Sequence, residues 1–295
     1  MSTEDISPRH LDLDLWSSAE QVDALFEGQL AAVAALGPAL PAIAAAVDQI
    51  ATRLRRGGRM VYAGAGTSAR IGVQDGAELL PTFNWPAERV AFVIAGGEGA
   101  LLRAVENAED SEEAAQRRID ELDLGPDDVV VGLAASGETP FTISALKAAR
   151  ARGALTIGIA NNSSAQLLAI CDAPVLIETG SEPIAGSTRL KAGTAQKVAL
   201  NLISTAVMMQ LGRVYRGMMV DMRPTNHKLR QRAETMVARI AGCAPSVAAN
   251  ALVAAKDDIK TAALVAKGLT LDAACALIAR HGGNLRAALG EIMGG

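Results

Sequence analysis

The 295-residue chain is poor in aromatic side chains, with four phenylalanines, two tryptophans and two tyrosines. So few rings leave little on which nucleobases can stack or a sugar face can be clamped, so a ligand is expected to be held by hydrogen bonds. An excess of one charge is also missing: 28 Lys plus Arg stand against 32 Asp plus Glu, a formal net charge of −4, and no basic block interrupts the chain. That balance argues against a polyanion-binding surface and so against nucleic acid as a partner. Cysteine is scarce. Cys171, Cys243 and Cys275 lie far apart with no CxxC pair and no histidine at ligand spacing, which argues against zinc or a disulfide framework and for a reducing, cytoplasmic setting. Long apolar runs are absent too, because residues 30–47 are cut by Gly37, Pro38 and Pro41, and residues 198–211 by Asn201, Ser204 and Gln210. The opening MSTEDISPRHLDLDLW is acidic and lacks the apolar core of a secretory signal, so neither export nor a membrane partner is expected.

Half of the residues are nevertheless apolar, enough for a sizeable core. Residues 31–54 are alanine-rich with helical period, closed by Arg55, Arg56, Gly57 and Gly58. Short apolar runs then recur at 59–63, 90–95, 128–134, 155–160 and 174–177, each followed by small or hydroxyl residues and a helical stretch. This is a βαβ rhythm. The runs are apolar throughout instead of alternating, which is how strands covered on both faces read. The expected architecture is α/β, a doubly wound, flavodoxin-like parallel sheet closed by a long helix near 192–211. From Met236 onward only Ala-, Leu- and Val-rich helical segments appear, so the expected division is 1–235 for the α/β domain and 236–295 for a small all-helical domain.

Two strand-to-helix turns carry the chemistry. The first strand runs into GAGTSAR, where Gly66, Thr67 and Ser68 sit at a helix start and backbone N–H groups converge with hydroxyls on an anion. The third runs into AASGETP, where Ser136, Gly137, Glu138 and Thr139 form a similar turn. In a doubly wound sheet both turns face one crevice, so together they suit a phosphate monoester. The Walker pattern, GxxxxGK and then Ser or Thr, is absent, and GAGTSA matches the dinucleotide fingerprint weakly, because the next candidate acid, Glu98, comes late. A phosphorylated small metabolite fits better than a nucleotide. His10, His227 and His281 have no triad or ligand spacing, and no metal or organic cofactor is expected. Glu109 lies among Glu106, Asp110, Glu112 and Glu113, a pattern usual for a solvated helix face. Glu78 adjoins Leu79, Leu80 and Pro81, and on pattern alone partial burial and helix-end exposure weigh about equally.

Strand-GxGTS-helix followed by strand-SGET-helix resembles the sugar isomerase (SIS) domain. GAGTSARIGVQDGAELLPT, AVENAEDS, VVVGLAASGETP, GSTRLKAGTAQK and MVDMRPTNHKL, in this order, resemble the N-acetylmuramic acid 6-phosphate etherase family along nearly the whole chain. The resemblance implies a phosphosugar substrate, catalytic carboxylates at Glu78 and Glu109, and a substrate-facing lysine at Lys228. It also implies sugar-phosphate contacts from Ser68, Ser136, Thr139, Ser187 and Thr188, and pairing into a homodimer. The implied reaction cleaves a lactyl ether by elimination and water addition. Glu138 in SGET is closer to general SIS isomerases, which keeps a hexose 6-phosphate isomerase or deaminase open as an alternative. A phosphosugar-responsive regulatory protein, docking through its helical tail, is a second.

Overall fold

The computed structural model describes residues 2–103 and 105–294, so Ala104, which opens the AVENAEDS segment, lies outside the described residues. The chain divides into two compact units. The first comprises Met1–Ala77 with Ala87–Thr205, the second Glu78–Pro86 with Ala206–Gly295.

In the first unit, strands β1 (Met60–Gly64), β2 (Val90–Ile94), β3 (Val129–Leu133), β4 (Leu155–Ala160) and β5 (Ala173–Leu176) pair in parallel in the order β2-β1-β3-β4-β5. This is the expected flavodoxin-like order, with its switch point between β1 and β3. Strands β1, β3 and β4 are buried along their whole length, as their unbroken apolar runs require. Val61, Ala63, Val130 and Ala134 pack on one face with Ile119 of α5 (Glu112–Glu121) and with Phe141 and Leu146 of α6 (Pro140–Ala151). The other face is covered by α2 (Leu40–Arg55) and α3 (Gly66–Ala77). At the strand starts, Asp128 clamps β1 to β3: Oδ1 accepts from Arg59 N at 2.8 Å, and Oδ2 accepts from Arg59 Nη2 at 2.7 Å and Gly125 N at 2.9 Å. Burial pushes this carboxyl up, but the Arg59 guanidinium and the two N–H groups outweigh it and hold it below the usual carboxylate value.

The helix expected over 31–54 is two helices, α1 (Ser18–Ala34) and α2, separated by a 3-10 turn at Gly37–Ala39. Proline explains the break, since Pro38 and Pro41 lack the N–H that a helix interior needs and fit only in the first turn of a helix. Ser17 starts α1 with a capping box to Glu20. The long helix α8 (Lys191–Gln210) begins on Glu182, a fully buried carboxylate that accepts from Lys191 N and Ala192 N, both at 2.9 Å.

The second unit holds α4 (Leu79–Phe83), a hairpin of β6 (Val214–Tyr215) and β7 (Met218–Met219), and five helices, α9 (His227–Ala241), α10 (Pro245–Ala254), α11 (Ile259–Ala266), α12 (Leu271–Arg280) and α13 (Leu285–Gly294). Tyr215, Val220 and Met222 share one core with Val237, Leu252, Leu277 and Leu285. The two units meet at Thr205/Ala206, within α8, and the hairpin shares the core of the helices that follow it, whereas the sequence led to an expected boundary at 235/236. Buried Lys260 supports this packing, pairing with Asp221 at 2.6 Å and donating to Gly283 O at 2.7 Å.

Candidate active site

A cleft of about 380 Å³ opens at the C-terminal ends of β1 and β3, where the strand order reverses. Its lining includes Gly66, Thr67, Ser136, Glu138, Thr139, Glu109 and Thr188. Gly66 turns the chain into α3 at φ 53°, a conformation that favours glycine. The first bond within that helix runs from Ala69 N to Ala65 O, so the N–H groups of Gly66, Thr67 and Ser68 fall in the helix start, where no intrahelical acceptor exists. The second loop is locked by Gly137, whose φ is 76° and where a Cβ would fall 2.1 Å from that of Ala165. Gly137 O accepts from Leu167 N at 3.0 Å, and Glu138 Oε1 accepts from Gln166 N at 2.8 Å, at the start of α7 (Gln166–Ile170). Ser136 Oγ accepts from Glu138 N at 3.2 Å and keeps its own proton for a ligand. Thr139 stands at the N-cap of α6 without a capping bond, so its hydroxyl is also available. Two helix starts and several hydroxyls thus converge on one space, an arrangement suited to an anion.

Glu109 lies in a 3-10 turn, Ala108–Asp110, that follows Asn107 in the left-handed region. It is exposed, as the acidic pattern suggested, yet the surface it faces is the cleft. Other candidates stand elsewhere. Ser68 is buried outside the cleft lining, and its hydroxyl donates to Gln196 Oε1 at 2.8 Å. Gln196 Nε2 in turn donates to Asn161 Oδ1 at 3.1 Å, so this chain of bonds braces α3 and the end of β4 against α8. The other end of α3 is held by buried Asp75, which accepts from Tyr62 OH at 2.8 Å and Ser204 Oγ at 3.0 Å. Burial and the neighbouring Asp75 push the Tyr62 phenol well above its usual value. Ser187 is half-buried beside the cleft wall, outside the lining. Glu78 and Lys228 belong to the second unit and are both exposed. The apolar enclosure weighed for Glu78 is not found, because Leu79 turns inward while Leu80 is itself 47% exposed.

Glu4 and Asp110 also line the cleft, and sequence reasoning missed both as site residues. Asp110 is indistinguishable from its acidic neighbours in the sequence. Glu4 sits in a segment with no motif, and only the tertiary fold brings it to these loops. Among the described residues, the lining therefore carries four carboxylates, those of Glu4, Glu109, Asp110 and Glu138, and no lysine or arginine.

The chain matches the model of the glucokinase regulatory protein N-terminal SIS domain over residues 42–150 and that of the SIS domain over residues 103–206. Its fold is similar to that of a phosphoheptose isomerase from Francisella tularensis, with TM-score 0.50 and 20% identity over 66% of this chain and 98% of that one. A ligand-bound protein of E. coli CFT073 gives TM-score 0.51 and 21% identity over 70% of this chain and 95% of that one. The chain is 48% identical to the N-acetylmuramic acid 6-phosphate etherase of Deinococcus radiodurans, over 98% of this chain and 95% of that one. It is 45% identical to that of Streptomyces avermitilis, over 98% and 93%. Identity at this level along nearly the full length of both partners, together with the SIS-type sheet and its cleft, means that the chain belongs to the N-acetylmuramic acid 6-phosphate etherase family.

Proposed function

We propose that the protein cleaves the lactyl ether of N-acetylmuramic acid 6-phosphate, releasing D-lactate and N-acetylglucosamine 6-phosphate. The observation that carries this reading is the meeting of Glu109 with two hydroxyl-bearing helix starts in one cleft, in a chain 48% identical to an etherase. An alkoxide is a poor leaving group, so direct displacement is slow. Opening the sugar ring exposes the C1 aldehyde, which acidifies the C2 proton. Glu109 takes that proton and the C3–O bond breaks; Glu78, which stands outside the cleft lining, is assigned the protonation of the departing lactyl oxygen on the family resemblance alone. Water then adds to C3 of the unsaturated aldehyde, giving a proton to Glu78, while Glu109 returns a proton to C2. Thr67, Ser136, Thr139 and Thr188 hold the 6-phosphate. Such a reaction belongs to amino-sugar metabolism and peptidoglycan recycling. A cytoplasmic location fits the three free cysteines.

The phosphate dianion and the lactyl carboxylate need a cation that the lining does not supply, which supports a role for Lys228 acting from a second copy in a homodimer. Helix α1 supports pairing as well. Val22, Phe26 and Leu30 form an i, i+4 stripe that is 56% exposed or more.

Turnover of the substrate in deuterated water tests the mechanism. Lactate should appear and the product should carry deuterium at C2. Glu109→Gln should abolish both, whereas Glu78→Gln should still wash out the C2 proton but release no lactate. Lactate release at the wild-type rate from either variant removes that residue from its role. Isomerised sugar phosphate without lactate would favour the isomerase alternative.

A further inference from the structure

The opening segment of the chain is threaded into the wall of the cleft. Thr3 is fully buried, and each of its polar groups is engaged. Its N–H donates to Asn162 Oδ1 at 3.0 Å, and its carbonyl accepts from Gly186 N at 3.0 Å. Its hydroxyl accepts from Asn162 Nδ2 at 3.1 Å and donates to Glu4 Oε1 at 3.1 Å. The same Asn162 amide reaches Ser136 O at 3.4 Å, which ties the segment to the SGET loop. Glu4 is thereby presented to the cleft with one carboxylate oxygen oriented by Thr3. The other, Oε2, lies against Gly186, where a Cβ would approach it to 3.0 Å.

We infer that Glu4 is a specificity-determining residue, accepting a hydrogen bond from a neutral donor on the body of the phosphosugar, a hydroxyl or the acetamido N–H. The inference rests on the etherase reading of the cleft. An ionised carboxylate only accepts hydrogen bonds, so it repels the phosphate and the lactyl carboxylate. The hydroxyls and the amide are the donors left on such a substrate. Burial of Thr3 gives the position its rigidity, since a side chain on a loose terminus would lose much of its binding contribution to ordering. No other residue of the segment 2–6 lines the cleft.

The test uses the full chain with Glu4→Gln, Glu4→Ala and Thr3→Ala. In both Glu4 variants KM should rise about ten-fold or more, the effect of losing one charge-assisted hydrogen bond, with kcat little changed. Competitive inhibition by inorganic phosphate should stay the same or tighten, because the lost carboxylate faces no phosphate. Thr3→Ala should raise KM in the same direction while the melting temperature shows whether the fold holds. An unchanged KM in both Glu4 variants overturns the inference, and so does a rise matched by weaker phosphate inhibition, which would mark Glu4 as a support of the loops. Calorimetric binding of N-acetylglucosamine 6-phosphate separates this from the etherase reading because it needs no turnover. Weaker binding by Glu4→Gln upholds Glu4 even if lactate is never released. Unchanged binding and unchanged KM in a chain that does release lactate remove Glu4 alone.

Discussion

Thr67 and Ser68 are adjacent hydroxyls at the same helix start, yet one lines the cleft and the other is buried against Gln196. A helix turns about 100° per residue, so neighbours face different surroundings, and only the position of α8 decides which hydroxyl is spent on packing. Ser68→Ala should cost about 1–3 kcal/mol of stability by leaving Gln196 Oε1 without its donor, and should leave KM close to wild type. Ser136→Ala should behave in the opposite way, weakening phosphosugar binding by about 1–3 kcal/mol with little change in melting temperature. Denaturant melts and steady-state kinetics on both variants check the contrast. A kinetic defect in Ser68→Ala larger than that in Ser136→Ala would return Ser68 to the phosphate site. The motif was legible in the sequence at the level of the loop, and Gly66, Thr67, Ser136 and Thr139 follow from it. Glu4 was not legible, because its place depends on Thr3 meeting Asn162 across 159 positions of sequence.

Strands were the most legible elements, since a run buried on both faces leaves an unbroken apolar signature; the observed β4 matches the expected span, and the other four shift by a residue or so. The hairpin β6–β7 was not read, because two residues per strand are too short to show a period. Its turn does have a signal, Arg216 and Gly217, both at positive φ as a tight hairpin requires. The clamp between β1 and β3 makes a pH prediction at this scale. The Asp128 carboxyl is held below its unfolded value, so the clamp stabilises the fold fully above that value and is lost as pH falls through the lower, folded one. Asp128→Asn should lower stability at pH 7 by about 2 kcal/mol, below the usual cost of breaking a buried pair because the Arg59 side chain is 29% exposed. The gap from wild type should close as pH drops below about 4, measured by urea denaturation across pH. A gap that persists in acid would mean that the clamp acts through shape alone.

Composition separates an α/β part from a helical part, whereas α9 and the hairpin carry charged or short segments whose membership is decided by packing. The same division separates Glu109 from Lys228 and Glu78. If Lys228 serves the site of a second copy, mixing inactive Lys228→Ala with inactive Glu109→Gln should restore activity up to about a quarter of wild type, since random re-pairing puts half the chains in hybrids and each hybrid holds one intact site. Native mass spectrometry should confirm that subunits have exchanged. Exchange without recovered activity would assign the lysine to its own chain or to no catalytic role.

The four carboxylates around the cleft also set how fast a ligand arrives. Within one chain, a substrate bearing a phosphate and a carboxylate meets four lining carboxylates, whose repulsive field opposes encounter against the pull of the two helix starts. Salt shortens the reach of that field from about 30 Å at 0.01 M to about 10 Å at 0.1 M. kcat/KM should therefore climb with ionic strength over this range, the reverse of an electrostatically steered enzyme, and Glu4→Gln should flatten the climb. Capture would then be tuned to the ionic composition of the compartment as much as to the substrate.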